Sequence, residues 1–148
     1  MEPDIASARW GQRFQRFSRA FGLLRSALES KALDEFSDLE REGIIQRFEY
    51  TFELGWKTFK DYLDFSGVSL IEATPRKVIK ECAASHIFRE AGIDPETYLD
   101  MLLSRNALSH MYDFEQFKIV IVKIKTCYLT EFEKEYKFFA NKGLGGDV

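Results

Sequence analysis

The sequence predicts an all-α fold, an up-down bundle of four to five helices. Only three prolines interrupt its 148 residues. Apolar residues recur at three- and four-residue steps over long stretches, the period of a helix face and not of a strand. The breaks between those stretches carry helix-end chemistry. Ser37-Asp38, Thr74-Pro75 and Asp94-Pro95 read as starts, Ser66-Gly67 and Ala91-Gly92 as stops.

The first helix is expected from about Ile5 to Ser30, with Trp10, Phe14, Phe17, Phe21, Leu24 and Leu28 on one face. Arg9, Arg13 and Arg16 run beside that stripe at helical spacing. They read best as a solvated edge, with contact to RNA or to an acidic partner as the other reading. A second helix follows from Ser37 or Asp38 to about Phe65. Its apolar positions (Ile44, Ile45, Phe48, Phe52, Trp56, Phe59, Tyr62, Leu63) cover so wide an arc that both sides must be buried. One side suits the bundle core and the other is a candidate dimer face. Gly55, costing about 1 kcal/mol against Ala in mid-helix, marks a close helix approach.

The third helix is expected from Thr74-Pro75 through Val78, Ile79 and Cys82 to about Glu90, and the fourth from Asp94-Pro95 onward. The last runs from about Phe114 to Ala140. Its β-branched run Ile119–Val122 could pass for a strand. Phe117, Ile121, Ile124, Tyr128, Phe132 and Tyr136 keep helical spacing through it, so it reads as helix. The domain is expected over residues 1–141, with 142–148 a glycine-rich flexible tail.

Composition narrows the function. A net charge of −3 does not mark a general nucleic-acid binder, so any RNA contact must be local or made by an assembly. Cys82 and Cys127, far apart inside helical patterns, read as two reduced, buried thiols and not as a disulfide or a metal pair. There is no signal-peptide pattern and no apolar run near the roughly 20 residues that span a bilayer. A cytoplasmic protein with no membrane contact is expected. The chain shows no P-loop, His-Glu-x-x-His motif or dinucleotide-binding turn. It also lacks the Gly-Ser loop and paired Asp residues of a nucleotidyltransferase, so it is not expected to be one itself.

One segment concentrates chemistry: Arg105-Asn106-Ala107-Leu108-Ser109-His110-Met111-Tyr112. An imidazole exchanges protons near neutrality, and a guanidinium clamps a phosphate with two parallel hydrogen bonds. Together they suffice to cleave RNA without metal or cofactor. At 100° per residue, Arg105, Asn106, Ser109, His110 and Asp113 share an arc of about 140°. Met101, Ala107, Leu108 and Met111 lie opposite, and Leu102 is the one apolar intruder among the polar groups. An Arg and a His this close are often mere helix-end groups, so the spacing alone is weak. His86, also expected near a helix end, is given no role.

The surrounding pattern adds weight. Arg105-Asn106-(x)3-His110-x-Tyr112 resembles the Arg-(x)4–6-His motif of HEPN-superfamily ribonucleases. Upstream, Arg47-Phe48-Glu49-Tyr50-Thr51-Phe52-Glu53-Leu54-Gly55-Trp56-Lys57 resembles the second helix of the HepT-like, nucleotidyltransferase substrate-binding branch. The Thr74-Pro75-Arg76 helix start fits as well, and the similarity extends from about Gly43 through the last helix.

The resemblance implies a HEPN-like homodimer whose two motifs meet in one cleft, and a metal-independent ribonuclease toxin needing no cofactor. It makes Arg105, Asn106 and His110 catalytic, with Ser109 and Asp113 as binding groups beside them. Arg105 would hold the phosphoryl oxygens, His110 or its counterpart would move the proton, and Asn106 would orient them. DNA, lacking the 2′-hydroxyl, should be inert. The implied partner is a minimal nucleotidyltransferase (MNT) antitoxin that adds AMP to the Tyr at position 112. Met111 departs from the smaller polar residue common there. The alternative within the same family is a non-catalytic substrate-binding subunit of that nucleotidyltransferase. A third possibility is a helical dimer whose motif is only a helix end.

Overall fold

The computed structural model describes residues 9–110 and 113–144, and no strand occurs among them. α1 (Arg9–Glu29) begins at the first described residue, so the expected start at Ile5 lies outside the described residues. Its stripe is buried as the spacing requires, from Trp10 to Leu28. A short 3-10 turn (Leu33–Glu35) and the buried Phe36 lead to α2 (Asp38–Phe65). Here Ser37 and Glu40 form a reciprocal cap: Glu40 N–H donates to Ser37 Oγ at 3.1 Å, and Ser37 N–H donates to Glu40 Oε1 at 2.8 Å.

α2 is the central rod. It packs on α1, on α3 (Pro75–Ala84), on α5 (Pro95–Leu108) and on α6 (Phe114–Lys123). The wide apolar arc is therefore filled largely from within one chain. The side expected to serve as a dimer face is taken by α3, α5 and α6. Gly55 marks a close approach, by α1, α5 and the end of the chain's last helix. A Cβ there would lie 2.8 Å from Tyr98 Oη, 3.1 Å from Glu135 Oε1 and 3.3 Å from Phe17 Cε1.

The expected third helix is two. α3 stops at Ala84, and α4 (Ile87–Ala91) restarts after His86, which takes a left-handed φ of 69°. His86 is thus a helix-end group as expected, just past the cap of α3 and itself the N-cap of α4. Gly92, at φ 76°, closes α4, and Ile93 plugs the core before Asp94 caps α5.

The last helix is one rod in three pieces. α6 runs into a π-helical turn (Ile124–Tyr128) and then α7 (Leu129–Phe139), with helical backbone across both joins. Cys82 is buried as expected, but Cys127 is exposed, because the π turn points Ile124 and Tyr128 inward instead. Ile119–Val122 is helical as read: Val120 and Ile121 face the core, Ile119 and Val122 face out. A second π turn (Ala140–Leu144) occupies the start of the expected flexible tail, and residues 145–148 lie outside the described residues.

The core is aromatic. Phe59 touches Phe88 and Phe139 at 5.0 Å between ring centres, and Trp10 meets Phe139 at 5.3 Å. Inside it sits a buried acid. Glu135 Oε1 accepts from Tyr98 Oη at 2.7 Å, while its Oε2 has no hydrogen-bond partner among the described residues. Burial pushes the carboxyl well above its ordinary range, and the Tyr98 hydrogen bond only partly opposes this. An acid with a raised native pKa stabilises fully below the unfolded value, and loses that contribution as pH rises through the native one. Wild-type stability is therefore expected to fall above about pH 4.3, by up to about 1.4 kcal/mol per pH unit. In Glu135→Gln, whose carbonyl can still accept from Tyr98, that slope is expected to vanish. Urea unfolding at several pH values checks this.

Candidate functional site

The site is built on the C-terminal half of α5. Asp94 caps the helix, accepting from Glu96 N–H at 3.2 Å, and Pro95 occupies its first turn. Tyr98, Met101, Leu102, Ser104 and Leu108 are buried. The π turn fixes the register from the far side. Tyr128 Oη donates to Asp100 Oδ2 at 2.5 Å and lies 2.7 Å from Ser104 Oγ. Ser104 immediately precedes Arg105, so the backbone beneath the guanidinium is tied to the core.

Arg105 turns back onto α2. Its Nη2 pairs with Glu53 Oε1 at 2.7 Å, and its Nη1 donates a long bond, 3.4 Å, to Asn106 Oδ1. Glu53 Oε2 also holds Lys57 Nζ at 3.1 Å. Glu49 stands one turn earlier on α2. Partial burial raises its carboxyl, and the Arg105 guanidinium pulls against that rise. Arg105 keeps 34% of its side chain exposed, so a ligand can still reach it.

The rest of the motif departs from the helical projection. α5 ends at Leu108, and Ser109 is its cap, its Oγ donating to the Asn106 carbonyl at 2.8 Å. His110 lies in the turn beyond, its N–H donating to the Ala107 carbonyl at 3.0 Å. The imidazole is exposed and takes no hydrogen bond among the described residues. Asp113 caps α6, accepting from Glu115 N–H at 2.9 Å, so it belongs to another helix and not to a shared arc. Arg105, Asn106, Ser109 and His110 do gather at one end of α5. Leu102, placed by projection among the polar groups, is buried because α5 is covered on two sides. Met111 and Tyr112 lie outside the described residues.

Chemically, the cluster pairs a partly exposed guanidinium with a free imidazole and two carboxylates on the facing helix. Among the described residues no group of three or more His, Cys, Asp or Glu is placed to hold a metal ion. The two carboxylates are what sequence reading missed. Glu49, Glu53 and Lys57 recur at four-residue steps on α2, which marks a charged stripe, but nothing local says that Arg105 will meet it.

The matching family model, described as nucleotidyltransferase substrate binding protein like, covers residues 12–141 and so takes in both facing helices. The chain belongs to this family. No curated protein matches it. This nucleotidyltransferase substrate-binding-like chain carries a second feature beside the motif. A groove of about 350 Å³ between α5 and α6 is lined by Leu103, Ala107, Ile119 and Lys123, among others. Leu103 and Ile119, which line it, leave large apolar surface exposed. No helix among the family member's described residues is long and apolar enough to cross a membrane.

Proposed function

We propose that the chain is a metal-independent endoribonuclease, the toxin of a pair whose other member is a minimal nucleotidyltransferase. The observation that carries this reading is the free His110 imidazole at the same helix end as a reachable Arg105. The RNA 2′-hydroxyl attacks the adjacent phosphorus, giving a 2′,3′-cyclic phosphate and a free 5′-hydroxyl. Arg105 binds the phosphoryl oxygens as their charge grows. An imidazole takes the 2′ proton, and another protonates the leaving 5′ oxygen. One chain offers one such imidazole at this site, so the chemistry calls for two copies. The apolar side of α5 and α6 beside the motif is the surface we assign to that homodimer. Asn106 orients the phosphate, and Ser109 holds the turn that carries His110. AMP on Tyr112 would set a negative phosphate beside the arginine and repel substrate.

Treatment of total RNA and of single-stranded DNA with the protein in EDTA tests the reading. RNA cleavage with intact DNA is expected. Intact RNA with an unmodified, dimeric protein would sink it.

A second reading has its own support. Arg105 is already neutralised by Glu53, and the family description speaks of substrate binding. In that case the cleft holds a nucleotide or acceptor for the partner enzyme and performs no cleavage. Glu53→Gln bears on the choice. Phosphate must displace the Glu53 carboxylate from Arg105, and a partly exposed pair of this kind is worth about 1 kcal/mol at most. Under the ribonuclease reading, Glu53→Gln is expected to lower KM for RNA by up to about fivefold and to leave kcat nearly unchanged. A large fall in kcat would instead make Glu53 a positioning group for Arg105.

A further inference from the structure

α1 carries charge of nearly one sign. From Arg9 to Glu29 it holds five arginines, no lysine and one acid, a net of +4. The whole chain is −3, so the remaining residues sum to −7. The five arginines divide by what they touch. Arg13 Nε pairs with the buried Asp61 at 3.1 Å. Arg25 pairs with Glu133 at 2.6 Å and lies 5.0 Å over the Phe21 ring. Arg9, Arg16 and Arg19 are exposed and have no ion pair or hydrogen bond among the described residues. They stand opposite the buried Trp10–Phe14–Phe17–Phe21 stripe, in a row about 15 Å long at 1.5 Å rise per residue.

We propose that Arg9, Arg16 and Arg19 form a track for the phosphate backbone of single-stranded RNA, outside the Arg105–His110 site. The link to cleavage rests on the ribonuclease reading; the binding does not. Three features favour a phosphate chain. Guanidinium forks match phosphate oxygens in pairs, which lysine cannot do. The net −7 of the remaining residues disfavours a polyanion over most of the surface and so focuses it on this stripe. A protein partner would need an apolar, aromatic patch at the centre of its footprint. α1 offers only Leu23 as an exposed large apolar side chain.

The test uses the full chain with Arg9→Gln, Arg16→Gln and Arg19→Gln combined. Arg13 and Arg25 stay, because they hold Asp61 and Glu133. Binding is followed with a labelled 2′-O-methyl RNA of about 20 nucleotides, which cannot be cut by attack of its own 2′ oxygen. Loss of three phosphate contacts is expected to flatten the plot of log affinity against log salt by about 2, and to weaken binding at low salt at least tenfold. The thermal unfolding midpoint is expected to match wild type, since none of the three side chains has an ion-pair or hydrogen-bond partner among the described residues. Cleavage of a trinucleotide, too short to occupy both track and site, is expected to be unchanged. Equal affinity and equal slope in the two proteins would overturn the track and leave the stripe to an acidic protein partner or to water. If the wild type cuts no RNA at all yet binds through these arginines, the track stands and the ribonuclease reading falls.

Discussion

His110→Ala is expected to reduce RNA cleavage in EDTA by about 10³- to 10⁴-fold. A positioned general acid or base contributes on the order of 10²–10⁴-fold, and in a homodimer the substitution removes both the acid and the base. Arg105→Ala is expected to cost about 10²–10³-fold, the usual loss when a donor to developing oxyanion charge is removed. Wild type mixed with His110→Ala and allowed to exchange subunits gives a sharper result. If one shared cleft takes its acid from one copy and its base from the other, a mixed dimer lacks one of them. Cleavage well below that expected from the wild-type subunits present is the expected outcome. Cleavage in simple proportion to those subunits would show that each copy serves its own site.

Gly55→Ala is expected to destabilise the fold by about 1–3 kcal/mol. The added methyl meets Tyr98 Oη at 2.8 Å, Glu135 Oε1 at 3.1 Å and Phe17 at 3.3 Å, none of which can retreat from the core. Overpacking of this sort costs about 1–3 kcal/mol, and disturbing a buried hydrogen bond adds about 1 kcal/mol. The better helix propensity of alanine returns about 1 kcal/mol. For a domain of this length each kcal/mol lowers the midpoint by roughly 2–4 °C. Calorimetry on Gly55→Ala beside Gly43→Ala separates packing from propensity. Gly43 has nothing within 4 Å of an added Cβ, so its substitution should be neutral or stabilising.

The bundle was readable because its signals are local. The Ser37–Glu40 cap, the Thr74-Pro75 and Asp94-Pro95 starts and the α1 stripe each lie within a few residues, where spacing maps directly onto geometry. Two breaks were not readable for the same reason in reverse. Ser85-His86 holds neither glycine nor proline, and a left-handed histidine is uncommon enough that the pattern favours an unbroken helix. α5 ends at Leu108 with an ordinary serine cap, so projecting the motif as continuous helix carried His110 and Asp113 onto a face they do not share. Arg105 and Asn106 were placed correctly because the helix reaches them. Glu53 is 52 residues from Arg105, and no local rule brings them together. The wide arc of α2 was rightly read as buried on two sides, but the partners are other helices of the same chain.

The hydroxyl of Tyr128 has a consequence for the order of events in the cleft. By fastening Asp100 and Ser104 it makes the stretch of α5 just before Arg105 part of the rigid body, whereas His110 stands two residues past the last helical turn. The two halves of the motif therefore have unequal freedom. Under the ribonuclease reading, a phosphate arriving at the cleft would meet a pre-set cation first, and the proton-transfer group would be brought into line around it. Tyr128→Phe should then blunt selection of the scissile phosphate before it slows the chemistry, appearing in KM ahead of kcat.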